Sequence, residues 1–186
     1  MSIKDIFQWL IGVGIFAALV GCASQPLVTT VPGKDESLQY QVGVAAYNHH
    51  NYAKALNIWV DLADKGDAEA INALGMMYQS GKGVSRDVGV AARLYKKAAN
   101  AGLPAAQNNL AVMYESGEGV DQDLDTAVKL YQQSASQGYI WAQYNLGRMH
   151  ASGIGVQKDP ATASEYFEQA EHAKEALNDA TRQPNR

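Results

Sequence analysis

Apolar positions along most of this chain recur at helical spacing. Ala70, Leu74 and Tyr78 return every four residues and form one stripe on a helix. Ala91, Leu94, Tyr95, Ala98 and Ala99 follow the i, i+3, i+4, i+7, i+8 pattern of a second helix, with alanines that let a neighbour approach closely. The pair then repeats with a step of 36 residues. That step links Leu74, Leu110 and Leu146, and also Tyr95, Tyr131 and Phe167. Polar and glycine positions keep the same step. Asp87, Asp123 and Asp159 stand where a helix needs an N-cap acceptor, and Pro160 follows the last of them at a first helical position. Gly66, Gly102 and Gly138 suit helix ends. Gly81-Lys82-Gly83-Val84 returns as Gly117-Glu118-Gly119-Val120 and as Gly153-Ile154-Gly155-Val156, marking the turn inside each pair. Upstream, Ala55 and Trp59 keep the 36-residue register to Ala91 and Tyr95, but no such turn precedes them.

The N-terminus has a different pattern. Phe7 to Val20 is an almost unbroken apolar run. As a helix it would span roughly 21 Å, short of the ~30 Å hydrocarbon core, which fits a signal-peptide segment better than a membrane span. The run ends in Leu19-Val20-Gly21-Cys22, which resembles a bacterial lipobox. The resemblance implies cleavage before Cys22 and lipidation of its thiol and new amino group, with an uncleaved anchor as the alternative. Ala23 after the cysteine, by the same resemblance to Gram-negative lipoproteins, implies the outer membrane. The Ser-, Thr-, Pro- and Gly-containing stretch that follows lacks periodicity and reads as a tether.

The repeating order of Ala, then Leu-Gly-x-x-Tyr, then Gly-x-Gly-Val, then Ala-x-x-x-Tyr resembles the Sel-1-like repeat. That family implies an all-α fold, an α/α solenoid coiled as a right-handed superhelix, here of about four helix-turn-helix repeats. Gly43, Tyr52, Ala55 and Trp59 resemble a plain tetratricopeptide unit. The expected organisation is a signal peptide at 1–21, a tether at 22–36 and a tetratricopeptide-like repeat at 37–66. Three Sel-1-like repeats follow at 67–102, 103–138 and 139–174, and a helical cap and tail at 175–186. Three positions depart from the pattern: Ala111 replaces a helix glycine, His150 a tyrosine and Lys174 a terminal glycine. The last predicts that the final helix runs on past Glu171.

Composition narrows the chemistry. Fifteen basic and 19 acidic residues give a formal charge of −4, without the basic cluster that phosphate-backbone binding needs, so no nucleic-acid partner is expected. Removing residues 1–21 takes away Lys4 and Asp5 together and leaves that charge unchanged. The single cysteine forbids an intrachain disulfide, and no His/Cys spacing suggests a metal. His49 and His50 are adjacent and would point apart on a helix. The Gly-x-Gly-Val segments follow helices and lack a Gly-Lys-Ser/Thr ending, so they read as turns and not phosphate cradles. Without a nucleophile–base pair or a metal set, no catalytic residues, cofactor or enzymatic activity are expected.

On the side of the first helices opposite the Ala70/Leu74/Tyr78 stripe lie Glu69, Asn72 and Met76, then Asn108 and Glu115, then Trp141, Tyr144 and Arg148. By resemblance to tetratricopeptide arrays this side lines a concave groove. Trp, Tyr and Arg are the residue types most enriched at binding hot spots. The alternative is that Trp141 packs under the C-terminal helix and Tyr144 is simply a residue common in the repeat. The sequence-level expectation is a lipid-anchored envelope protein, facing the periplasm, that holds another protein or peptide. The alternatives are a peptidoglycan-binding or envelope-assembly module, or an accessory regulator of a cell-wall enzyme.

Cys22 supplies a direct test, because one acyl chain anchors a protein only marginally and further chains make the attachment stable. Wild type is expected to incorporate labelled palmitate and fractionate with membranes, and Cys22→Ser to lose the label. Equal labelling of the variant would refute the lipobox reading.

Overall fold

A computed structural model describes residues 34–182, so the signal-peptide and Cys22 expectations lie outside the described residues. Among those described there are eight α-helices and no strands. In chain order they are α1 (Lys34–Asn48), α2 (Tyr52–Asp64), α3 (Ala68–Ser80), α4 (Val88–Asn100), α5 (Pro104–Ser116), α6 (Leu124–Ala135), α7 (Ile140–Ser152) and α8 (Pro160–Arg182). Helix α1 begins inside the stretch expected to be a tether. Helix α8 runs well past Glu171, as the missing glycine at Lys174 predicts.

The described residues divide into two compact units, one ending at Ala70 and the other beginning at Ile71. In the first, α1 packs on α2 around Trp59, whose ring lies 6.1 Å from Tyr40 and 5.6 Å from Tyr47. Gly43 provides the room: a Cβ there would stand 2.4 Å from the Trp59 indole nitrogen. His49 and His50 are not helical. They form the tight turn after α1, where His50 takes a left-handed backbone (φ 59°) and its Nδ1 lies 2.8 Å from the Tyr52 hydroxyl.

The second unit repeats this device. A Cβ on Gly75 would meet the Tyr95 ring at 2.6 Å, and one on Gly147 would meet Phe167 at 2.6 Å. Ring and glycine therefore interlock within a helix pair, and Tyr95 and Tyr131 are fully buried. Around Tyr131 the core gathers Ala111, Val128, Leu146 and Met149 from two successive repeats. The helix starts follow the sequence pattern. Asp87 accepts from the Val90 N–H, Asp123 from Thr126 and Asp159 from Thr162. The Thr126 and Thr162 hydroxyls also donate to their aspartates, and this hydrogen bonding holds both carboxyls below the ordinary value of 3.8. Those caps therefore contribute above that value and weaken as pH falls through the lower folded-state pKa.

The Gly-x-Gly-Val turn does a second job besides reversing the chain. Gly119 has φ +75°, and a Cβ on it would stand 2.6 Å from the carbonyl oxygen of Val88, at the start of the preceding repeat's second helix. The turn of one repeat thus lies directly on the helix of the one before. Gly119→Ala is expected to cost about 2–4 kcal/mol, the sum of a left-handed backbone carrying a Cβ and an overpacked contact. Leu110→Ala, deleting a buried stripe residue, is expected to cost on the order of 2–5 kcal/mol. Denaturant unfolding measures both. A loss below about 0.5 kcal/mol for Gly119→Ala, the range of neutral surface changes, would contradict the role given to that turn.

Candidate interaction surface

The sides of the first helices α3, α5 and α7 face several environments: their own second helix, the preceding repeat's second helix for α5 and α7, the next repeat's first helix for α3 and α5, and solvent. The sequence expectation divided them into only two. Asn72 and Asn108, assigned there to a partner-facing groove, are in fact buried, each at 7% exposure. The Asn72 side-chain oxygen accepts from Asn109 Nδ2 at 3.0 Å, and Asn108 accepts from Asn145 Nδ2 at 3.0 Å. They form an amide ladder between successive repeats. A buried amide left unpaired is costly, so the ladder fixes the register of one first helix on the next.

Glu115 and Arg148 are also committed within the fold. The Glu115 carboxylate accepts from Tyr131 Oη at 2.8 Å, and Arg148 Nη2 reaches both of its oxygens, at 2.6 and 2.7 Å. Glu115 is mostly covered, while Arg148 keeps part of its guanidinium in water. Burial raises the Tyr131 pKa far above its ordinary range, and the acceptor Glu115 adds to this. The hydrogen bond to Glu115 likewise raises that of Arg148. The preceding junction has a different set: Tyr95 Oη donates to Gln79 Oε1 at 2.8 Å, and Arg86 pairs with Glu118.

What remains solvent-facing among the large side chains is apolar, with Glu69 the charged exception. Met76 and Val112 are exposed at equivalent positions of α3 and α5, and the equivalent residue of α7 is Arg148. Trp141 is 66% exposed and Tyr144 53%. Tyr144 stands where Asn72 and Asn108 stand in the earlier repeats, but no following first helix covers it. One side of its ring leans on Phe167, with centroids 5.3 Å apart. Trp141 does not pack under the C-terminal helix, so that alternative fails on burial. Glu69 is exposed in the first turn of α3, where its charge adds to burial in raising the pKa of Tyr40. Val112, which the sequence also places opposite the buried stripe, lies on this surface 36 residues after Met76.

The family pattern of the Sel1 repeat matches residues 68–103, 104–139 and 142–173. The fold is similar to that of a protective antigen present in uropathogenic Escherichia coli strains and displaying an SLR fold. The two share 34% identity with a TM-score of 0.67, over 74% of this chain and 30% of that one. It is also similar to a Sel1 repeat protein from Oxalobacter formigenes, at 30% identity and a TM-score of 0.67, over 72% of this chain and 55% of that one. The match thus spans less than two thirds of either relative. No curated protein is significantly similar.

The Glu115–Arg148 contact makes a prediction opposite to a binding role for Arg148. Arg148→Ala should lower stability, and a double-mutant cycle with Glu115→Gln should show a coupling of roughly 1 kcal/mol that shrinks with added salt. Additivity within about 0.3 kcal/mol would mean that the pair does not join the repeats.

Proposed function

The chain belongs to the Sel1 repeat family, and from that premise we propose that it is a lipid-anchored interaction scaffold of the bacterial envelope. Arrays of such repeats supply extended surfaces for protein–protein contact. In this proposal the solvent side of α3, α5 and α7 receives a protein partner, and Cys22 holds the array to the outer membrane, facing the periplasm.

One observation carries the binding reading. Among the described residues of the second unit six large apolar ones are exposed, and four of them (Met76, Val112, Trp141 and Tyr144) lie on the first helices. The second helices present charged and amide side chains instead, such as Lys96, Lys97, Gln132, Gln133, Glu165 and Glu168. Exposed apolar residues gathered on one set of elements mark an interaction surface, whereas scattered ones do not. The anchor rests on the Leu-Val-Gly-Cys sequence alone. Among the described residues no helix is long and apolar enough to cross a membrane.

A photo-crosslinking amino acid placed singly at Met76, Val112 or Trp141 in living cells tests the surface, with Gln133 on the outer side of α6 as control. The expected result is one common adduct from the three first-helix positions and none from Gln133. Trp141→Ala should weaken that adduct while shifting the melting temperature by no more than a degree or two. Adducts that are equal at all four positions, or absent from the first three, would contradict the proposal.

A further inference from the structure

A cavity of about 230 Å³ opens where α4 meets α5, far along the chain from Trp141 and Tyr144. Leu110 and Ala92 give it an apolar floor, Tyr114 a half-buried aromatic wall, and Arg93 and Lys96 stand at its mouth. Both cations are exposed, and neither joins an ion pair among the described residues. Gly89, Gly119 and Val120 complete the lining. A Cβ on Gly89 would find Asp87 Oδ1, the helix cap, 3.4 Å away and the Arg93 guanidinium 3.8 Å away, so the absent side chain leaves space beside that cation.

Comparison with the next repeat shows that the fold does not require these features. The positions of Gly89, Ala92, Arg93 and Lys96 are taken 36 residues later by Asp125, Val128, Lys129 and Gln132. Asp125 and Lys129 are an i, i+4 pair of opposite charge, the spacing at which such side chains neutralise each other. Val128 fills its site, with Cγ2 at 3.3 Å from where a Gly155 Cβ would stand. One repeat further, Glu165 and Glu168 stand at the positions of Arg93 and Lys96, so the basic pair is particular to this junction. Four substitutions at one junction thus open a pocket, remove the internal counter-charge and add a second cation.

We propose that this pocket binds a carboxylate borne on a short aliphatic stem, the glutamate side chain of an acidic segment in a protein partner. The guanidinium and ammonium receive the carboxylate, with Arg93 able to form the paired hydrogen bonds that its planar fork favours. Ala92, Leu110 and Tyr114 cover the methylenes. A bare phosphate would use the charges and leave the apolar floor empty. The assignment adds a second, charged contact to the partner reading above and depends on it only in that the ligand is a protein segment.

The test uses the full chain and a labelled peptide of alternating glutamate and alanine, with its glutamine counterpart as control. Binding read by fluorescence anisotropy is expected for the glutamate peptide alone, weakening steeply with salt. Gly89→Asp, which installs the acid of the next repeat in the first turn of α4, should weaken binding roughly tenfold without lowering stability. Arg93→Gln should weaken it similarly. The triple variant Asp125→Gly, Val128→Ala, Gln132→Lys should raise the number of binding sites from one to two. Equal binding of the two peptides would overturn the assignment. So would unchanged affinity in Gly89→Asp and Arg93→Gln, or displacement by inorganic phosphate as effective as by glutarate. Because the probe is an isolated peptide and Trp141→Ala should leave its binding intact, failure here is distinguishable from failure of the first-helix surface.

Discussion

A large ring closing on a residue with little or no side chain governs the geometry of this array. Trp59 over Gly43, Tyr95 over Gly75 and Phe167 over Gly147 bring three of the four helix pairs closer than a side chain at the glycine would permit, and in the fourth Tyr131 packs with Ala111. With that approach fixed, the interval from one pair to the next is set by two further contacts. The turn at Gly119 lies against the Val88 carbonyl, and the Asn72–Asn109 and Asn108–Asn145 bonds join consecutive first helices. These contacts have discrete partners and tolerate little slip, so the 36-residue step in the sequence becomes a repeated step in space.

That constraint also explains which surface is left over. Each first helix gives one side to its partner helix, the preceding second helix packs on α5 and α7, and the next first helix bonds to α3 and α5. Only the remaining strip reaches solvent, and there Met76, Val112, Tyr144 and Trp141 are apolar without being buried. At the last repeat the second helix has turned polar where its predecessors are apolar: Ser164 stands in the place of Ala92 and Val128, and Glu171 in that of Ala99 and Ala135. Terminal repeats commonly need such a polar outer face. The first helix of the same repeat did not follow, which separates an end that is capped from a side that is kept for contact.

Much of this was legible in the sequence for a physical reason. Helix pairing, the aspartate caps and the overrun of α8 depend on local chemistry repeated in register, and a period reveals them. The surface was read less well because a helical wheel has only an inside and an outside. Asn72 and Asn108 fall outside on that wheel yet inside the stack, and Arg148 looks like a free hot spot until Glu115 is seen one repeat away. The adjacent histidines read as helical because the missing Gly-x-Gly-Val insertion hides how tight the turn after Asn48 is. The pocket at Arg93 was invisible for the opposite reason. It arises from departures from the repeat, and a period reveals only what recurs.

The central claim is that the framework of interlocked repeats and the exposed apolar strip are separable: one holds the fold, the other is free for a partner. Hydrogen–deuterium exchange on wild type and Trp141→Ala, resolved by helix, tests it most directly. The account predicts slowest exchange in α5 and α6, which have a repeat on either side, and faster exchange towards the end of α8. The variant should reproduce that profile. Loss of protection spreading from α7 into α5 in Trp141→Ala would show that the tryptophan belongs to the framework and would contradict the account.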